Sequence, residues 1–350
     1  MIVVTGAAGF IGSHLSKRLN QEGYYPLLLD DFSRGKQKYL DDLKVKAFCH
    51  DVDLTDSALV NYWIGQADTV FHIASRIGGN QFLHGSSLNE LNALQTNMAI
   101  DNNVFRACEK YKVKKVIYTS SVSVYNTDNQ ANSPNAMFRE TDLEKQPLDP
   151  EGGYGWAKLM GEKQLQLMSG KYGIARIFKS YGPCDDYSEE SGQVVCALMR
   201  KAINYPKESY KVWGDGTTTR CLVYIDDLID ALLKIYKYLN KSSTIVNIGG
   251  DRPISVKELA ETIIKVSSKD IEIEWDKTKP TGVQSRIPIL DKAKKELNWK
   301  PTTSLKDGLK KTYEWMEQDL KMKEECPRCG KRTIDMSEAE PMCDLCGWAQ

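Results

Sequence analysis

The run Val4-Thr5-Gly6-Ala7-Ala8-Gly9-Phe10-Ile11-Gly12 joins an apolar stretch, Met1–Thr5, to an amphipathic one, Ile11–Gln21. The first reads as a buried strand and the second has helical spacing. Between them the glycines stand as G-x-x-G-x-x-G, which lets the backbone turn tightly and approach a pyrophosphate. The helix that opens there offers free N–H groups and the positive end of its dipole. An acidic residue, Asp30, follows Gly6 by 24 positions at the end of a second strand, Tyr25–Leu29. Strand, glycine turn, helix and acid together are the context of a dinucleotide-binding turn. A carboxylate at Asp30 accepts hydrogen bonds from ribose hydroxyls and repels a 2′-phosphate. Asp31 adds a second negative charge. NAD is therefore expected over NADP, although Arg34 is the residue type that accommodates that phosphate.

Short apolar runs alternate with longer amphipathic ones through residue 180. Further strands are expected at Val45–Cys49, Thr69–Ile73, Lys115–Thr119 and Ile174–Phe178, and helices at Leu91–Lys110 and Tyr154–Tyr172. This alternation predicts an α/β fold, a Rossmann-type doubly wound parallel sheet covered on both faces. Past Tyr181 an acidic loop, Gly182–Gly192, precedes helices near Val194–Asn204, Asp226–Leu239 and Val256–Val266, strands near Tyr210–Trp213 and Ile245–Ile248, and a last helix, Leu305–Lys323. The expected division is a dinucleotide-binding domain over 1–180, a mainly substrate-binding, smaller α/β region over 181–322, and a separate tail over 323–350. Lys321–Glu325 is the linker candidate. The 350 residues are 41% hydrophobic and 27% charged, enough for a sizeable core. With Lys+Arg and Asp+Glu both at 47, no broad basic face for nucleic acid is expected. No apolar run approaches the length of a membrane span, and the opening MIVVTG lacks the basic start of a secretory signal.

Residues that carry chemistry cluster at strand ends. Asp53, in Asp53-Leu54-Thr55, has two readings, a partner for an adenine amino group or a cap on the next helix. Ile73-Ala74-Ser75 puts small residues where a strand end passes a cofactor. Thr119-Ser120-Ser121 ends the fifth strand. Tyr154 and Lys158 are spaced i, i+4 on a helix, so they share a face. A cation beside a phenol favours phenolate and is expected to lower the Tyr154 pKa, making it a base; Ser121 shares the proton on the substrate oxygen. The nine cysteines are uneven: four form two C-x-x-C pairs, Cys326/Cys329 and Cys343/Cys346, each followed by Gly and separated by 13 residues. Four thiolates at this spacing predict a closed, structural zinc site, on which so short a tail would depend for stability. The odd total and paired spacing argue against a secreted disulfide framework, so a cytoplasmic protein is expected.

These residues carry a resemblance. Over about residues 1–320 the chain resembles an extended short-chain dehydrogenase/reductase of the nucleotide-sugar epimerase/dehydratase group. The marks are Thr5 to Gly12, Phe71-His72-Ile73-Ala74, Ser120-Ser121 with Val124-Tyr125, Tyr154 to Lys158, Tyr181-Gly182-Pro183, Trp213-Gly214-Asp215-Gly216 with Arg220, and Leu297-Asn298-Trp299. The tail resembles a zinc ribbon. The resemblance implies bound NAD, contacted by Gly6, Gly9, Phe10, Ile11, Gly12, Asp30, Asp31, Ser33, Asp53, Ala74, Ser75 and Lys158. It implies that Tyr154 takes a proton from a sugar hydroxyl, usually at C4, giving a keto-sugar to which hydride is returned. A nucleotide-diphosphate sugar is the implied substrate and a homodimer, joined through the helices bearing Leu91–Lys110 and Tyr154–Tyr172, the implied assembly.

The next step of the reaction turns on acid/base groups. The 4,6-dehydratases of the group place an Asp-Glu pair where this chain has Val122 and Ser123, and the glucuronate decarboxylases a Glu at the Ser123 position. A simple 4-epimerase needs neither. Ala74–Phe82, Trp213–Arg220, Gly282-Val283 with Arg286, and Thr312-Tyr313 with Trp315 are similar to GDP-mannose 3,5-epimerases, whose Cys and Lys proton carriers fall on Ser123 and Ser188 here. C4 inversion is therefore the expected reaction and C3/C5 epimerisation the alternative; a non-catalytic NAD-binding scaffold is a third, disfavoured by the intact Ser121, Tyr154 and Lys158. Gly79, Ser121, Ser123, Lys179, Arg220 and Arg286 are the expected substrate contacts, with Arg220 on the diphosphate. Lys179 stands where the group usually has Asn.

Overall fold

A computed structural model describes residues 1–41, 43, 49–128, 133, 135–189, 191–279, 281–325 and 332–335. Its centre is a seven-stranded sheet: β1 (Ile2–Thr5), β2 (Leu27–Asp30), β3 (Cys49–Asp51), β4 (Thr69–His72), β5 (Lys115–Ser121), β6 (Lys171–Ile177) and β7 (Thr244–Ile248). All neighbours run parallel in the order β7-β6-β5-β4-β1-β2-β3, with Val4 opposite both Leu28 and Phe71. Both faces are covered, and the strands show it. Val3, Leu29, Val70 and Val116 enter one apolar core with Val104, Phe105 and Leu165. Val4, Leu28, Phe71 and Ile117 enter the other with Leu15, Leu19, Leu228 and Leu232. Adjacent apolar residues thus point to opposite faces, which is why these strands read as continuous apolar runs.

The covering helices are α1 (Phe10–Gln21), α2 (Ser57–Ile64), α3 (Ser87–Lys110), α4 (Gly152–Leu167) and α6 (Ile225–Tyr238). Helix α3 packs between α2 and α4, and α1 lies against α6. Helices α5 (Val194–Asn204), α7 (Val256–Ser267) and α9 (Leu305–Met322) form a second group packed on one another; α8 (Asp291–Leu297) lies against α6 and β7. Two-stranded pairs, among them Thr219–Arg220 with Ile254–Ser255 and Lys211–Trp213 with Glu274–Asp276, complete that region. Helix α6 and strand β7 follow residue 180 in sequence and rejoin the main sheet.

Three local expectations change. The helix bearing Tyr154 ends at Leu167, short of Tyr172. Met168 is extended and Gly170 lies so close to the segment leading into β5 that a Cβ there would stand 2.6 Å from the Val113 carbonyl; β6 begins at Lys171. The third strand is described at Cys49–Asp51; residues 44–48 lie outside the described residues. The proposed linker is instead the end of α9 followed by a strand, Lys323–Glu325, paired antiparallel with Arg332–Asp335. Cys326, Cys329, Cys343 and Cys346 lie outside the described residues. Among the described residues no group of His, Cys, Asp or Glu could hold a metal, and no helix is long and apolar enough to cross a membrane.

Candidate active site

The sheet order reverses between β1 and β4, and the crevice at the carboxyl ends of these strands is where doubly wound sheets take ligands. Gly6 has φ +66°, and a Cβ on it would stand 2.7 Å from the Ala74 nitrogen. A Cβ on Gly12 would stand 1.9 Å from the Gly6 carbonyl oxygen. Only glycine allows the turn, the end of β4 and the start of α1 to meet this closely. Gly9 caps α1 with no side chain on its first free N–H groups. Such a bare helix start, beginning at Phe10 and Ile11, fits a pyrophosphate.

Asp30 is buried at the end of β2. Its carboxylate accepts the Ala8 and Phe32 N–H groups, both at 2.9 Å, so it also fixes the glycine turn. Burial pushes its pKa up, and these N–H groups oppose the rise. Asp31 closes an exposed turn by accepting the Ser33 N–H (3.0 Å) and hydroxyl (2.6 Å). Arg34 is paired with Asp186, bonded to the Ser191 hydroxyl at 3.2 Å and set over Phe82 at 5.3 Å. It is thus committed to Asp186 and Ser191, while Asp30 and Asp31 leave two carboxylates at the end of β2, an arrangement that fits NAD. Asp53 accepts from the Thr55 N–H (2.8 Å) and hydroxyl (2.7 Å), whereas α2 is capped by Asp56. The capping alternative for Asp53 is corrected: the cap belongs three residues later. Thr5 Oγ1 receives the Ile73 and Ala74 N–H groups, and Ser75 donates to Asn97.

Tyr154 lies in the first turn of α4, buried, its hydroxyl hydrogen-bonded by the side chains of Ser121 and Ser75. Lys158 Nζ stands 5.9 Å from the Tyr154 ring centroid and 4.5 Å from that of Tyr118. Ser121, Tyr154 and Lys158 are therefore brought together beside Ser75 and the glycine turn. The expected acidification of the phenol is not met. Burial holds Tyr154 above its ordinary value against the two serine hydrogen bonds, and burial also pushes Lys158 down, opposed by Asp101 and Glu162. A dry pocket disfavours both charged forms before any through-space attraction acts. Lys158 Nζ is buried without a hydrogen-bond partner among the described residues. An unsatisfied ammonium is costly unless something polar meets it, and the hydroxyls of a nicotinamide ribose are of the right kind.

On the other side of Tyr154, Ser123 donates to Glu151 at 2.9 Å, and the same Glu151 oxygen takes Arg286 at 2.5 Å. Burial pushes the Glu151 carboxyl up, but Arg286 and Ser123 bring it below its ordinary value. Arg286 Nε is buried without a partner among the described residues. Arg220 donates to the Thr219 carbonyl at 2.7 Å, and burial together with Arg286 pulls it down to about 10. Half-buried Lys179 is pulled down to about 8 by burial and by the like charges of Arg220 and Arg286, with Asp185 opposing. Asp185 is itself pushed up to about 7 by burial and receives the Cys196 thiol at 3.4 Å. Three cations that repel one another around an unpartnered Nε suit an anion of more than one charge. Gly79 closes the rim: its N–H donates to the Ser191 carbonyl at 2.7 Å, and a Cβ there would meet the Gly192 carbonyl at 2.8 Å. Glu151, Asp185 and Asp186 were missed by sequence reading. Glu151 alone had a local signal, three residues before Tyr154.

A seven-stranded doubly wound sheet with a glycine turn at its switch point and a buried Ser-Tyr-Lys set defines a dinucleotide-dependent oxidoreductase fold of the short-chain type. The chain belongs to the NAD dependent epimerase/dehydratase family, which matches residues 2–249. It is similar to the GDP-mannose 3,5-epimerase 1 of Oryza sativa subsp. indica, 30% identical over 326 residues that cover 91% of this chain and 82% of that one. It is also similar to the UDP-N-acetyl-alpha-D-glucosaminuronate decarboxylase of Bacillus cytotoxicus, 30% identical over 328 residues, 90% and 97% of the two chains. The solved UDP-glucose 4-epimerase of Thermotoga maritima with UDP-glucose superposes with a TM-score of 0.78 at 28% identity, covering 91% of this chain and 99% of that one.

Proposed function

We propose that the protein is an NAD-dependent nucleotide-sugar epimerase that inverts C4 through a 4-keto intermediate. The observation that carries this reading is the buried Ser121–Tyr154–Lys158 set with its unpartnered Nζ beside the glycine turn. NAD, when bound, supplies the hydride acceptor and donor. Gly6, Gly9, Phe10, Ile11 and Gly12 would receive its pyrophosphate, Asp30, Asp31 and Ser33 its adenosine ribose, Asp53 its adenine, Ala74 and Ser75 its passage past β4, and Lys158 its nicotinamide ribose. Tyr154 takes the proton of the sugar hydroxyl and returns it, with Ser121 holding the sugar oxygen. Arg220, Arg286 and Lys179 hold the diphosphate, and Ser123 and Gly79 bound the sugar. The likeness to the rice enzyme favours a second reading, epimerisation at C3 and C5, but a hydroxyl at Ser123 and at Ser188 is a poor proton carrier near neutral pH. Incubating UDP-, GDP- and dTDP-sugars in deuterated water, with products read by NMR, tests both. A C4-inverted product without carbon-bound deuterium is expected. Label at C3 or C5 selects the second reading, and no conversion of any sugar overturns both.

The four tail cysteines are assigned a structural zinc, as a ribbon. Their spacing supports this, as does the antiparallel pairing of Lys323–Glu325 with Arg332–Asp335 on either side of Cys326 and Cys329. Leu88, Leu91 and Trp156, exposed on α3 and α4, support a homodimer through these helices. A cytoplasmic setting suits reduced thiols. Native mass spectrometry reads both stoichiometries. Two chains with one zinc each are expected; a monomer overturns the dimer, and metal-free protein from zinc-replete cells overturns the ribbon.

A further inference from the structure

The Lys158 ammonium is buried, unpartnered and set 4.5 Å over the Tyr118 ring, a place where such a group sheds its proton unless a negative charge opposes. The groups around it are Tyr154 and Glu162 on its own helix, Tyr118 on β5 and Asp101 on α3. Among the described residues, Asp101 and Glu162 are the acids that favour its charged form. Glu162 is already neutralised, gripped by Arg176 through Nη2 at 2.7 Å and Nε at 3.0 Å. Asp101 is 1% exposed; it accepts the Tyr118 hydroxyl at 2.5 Å and meets His72 Nε2 at 3.0 Å.

The protonation of His72 follows from its other side. Thr5 Oγ1 accepts the Ile73 N–H at 3.2 Å and the Ala74 N–H at 3.3 Å, which uses both of its lone pairs. Its own proton must then go to His72 Nδ1, 2.7 Å away. Nδ1 is an acceptor, the ring proton sits on Nε2 toward Asp101, and the imidazole is neutral. Asp101 is therefore a buried carboxylate with neutral hydrogen-bond partners, next to a buried ammonium that has no partner. Gly161 makes room for this: a Cβ there would stand 2.5 Å from the Tyr118 hydroxyl and 2.6 Å from Asp101 Oδ2.

We propose that Asp101 is a positioning residue: its uncompensated charge keeps the Lys158 ammonium charged in its dry pocket, and with it the grip on the cofactor ribose. This rests on the reading that the pocket takes NAD. Asp101→Asn removes the charge and keeps the size. Protein stripped of nucleotide is titrated with NADH by fluorescence from neutrality to about pH 9. In the variant, affinity falls at lower pH than in wild type, the two differing about tenfold toward the alkaline end, the size of one charge-assisted hydrogen bond. Tyr118 and Tyr154 are held above their ordinary values by burial and stay protonated in this range, and Lys179 titrates alike in both proteins. In a Lys158→Met background the same substitution moves nothing. Curves that run parallel, or a weakening equal at every pH, overturn the proposal. Wild-type protein that binds no NADH overturns the cofactor reading instead. Should Asp101→Asn fail to fold, Asp101→Ser carries the same test.

Discussion

Tyr154→Phe is expected to lower turnover about 10³-fold, within the range that one positioned acid/base supplies, while NADH affinity stays at the wild-type level. The substitution removes one oxygen from a buried ring and leaves its apolar contacts with Leu83 and Ala93 in place. Neither serine that loses the phenol is stranded, because Ser75 also donates to Asn97 and Ser121 also accepts the Ser123 N–H. The fold should therefore hold, and the loss belongs to the proton transfer. Burial keeps the wild-type phenol above its ordinary value, so phenolate is scarce at neutrality. Turnover limited by this base should rise with pH as the phenolate fraction grows, and the variant should lose that dependence. NMR progress curves across pH, beside NADH fluorescence titrations, measure both effects. A variant that keeps turnover within tenfold of wild type, or that keeps the slope, would remove Tyr154 from the chemistry.

The fold was legible because both faces of the sheet are covered. Val3 and Val4, Leu28 and Leu29, and Val70 and Phe71 are apolar in pairs, and runs of this kind stand out between amphipathic helices. What periodicity does not carry is partnership. Ile245–Ile248 read as a strand, yet nothing local says that it pairs with β6 across some 70 residues of chain. The site divides in the same way. Gly6, Gly9, Gly12, Asp30, Tyr154 and Lys158 are joined by short spacings and could be found by them. Glu151 meets Arg286, Arg34 meets Asp186, and Asp101 meets His72 only once the chain is folded. The phenol's pKa was misjudged for a related reason: i, i+4 spacing reveals the neighbouring cation but not the loss of water around both groups.

Arg176→Met is expected to destabilise the protein by about 3–5 kcal/mol, the cost of leaving one partner of a buried ion pair uncompensated, against a total on the order of 5–15 kcal/mol for a folded domain. Glu162 and Arg176 are 0% and 3% exposed. Arg176, on β6, reaches Glu162 on α4 through both Nη2 and Nε, and donates as well to the Tyr125 hydroxyl at 3.1 Å and the Glu140 carbonyl at 2.9 Å. Glu162 also takes the Ser120 hydroxyl at 2.5 Å, directly beside Ser121. The pair thus pins the helix bearing Tyr154 and Lys158 to the strand ends bearing Ser121. Removing the cation leaves a dry carboxylate whose remaining hydrogen bond among the described residues comes from Ser120. Removing both charges, as Glu162→Leu with Arg176→Met, should be milder than Arg176→Met alone, because the desolvation of two ions disappears with their attraction. The remaining deficit comes from Tyr125, Ser120 and the Glu140 carbonyl, each short of one hydrogen bond, about 1 kcal/mol apiece. Urea melts of wild type, Arg176→Met and the double variant decide the matter, with midpoints compared only where the slopes agree. If Arg176→Met melts with wild type, or the double variant falls below it, the ion pair is not what holds the catalytic helix to the sheet.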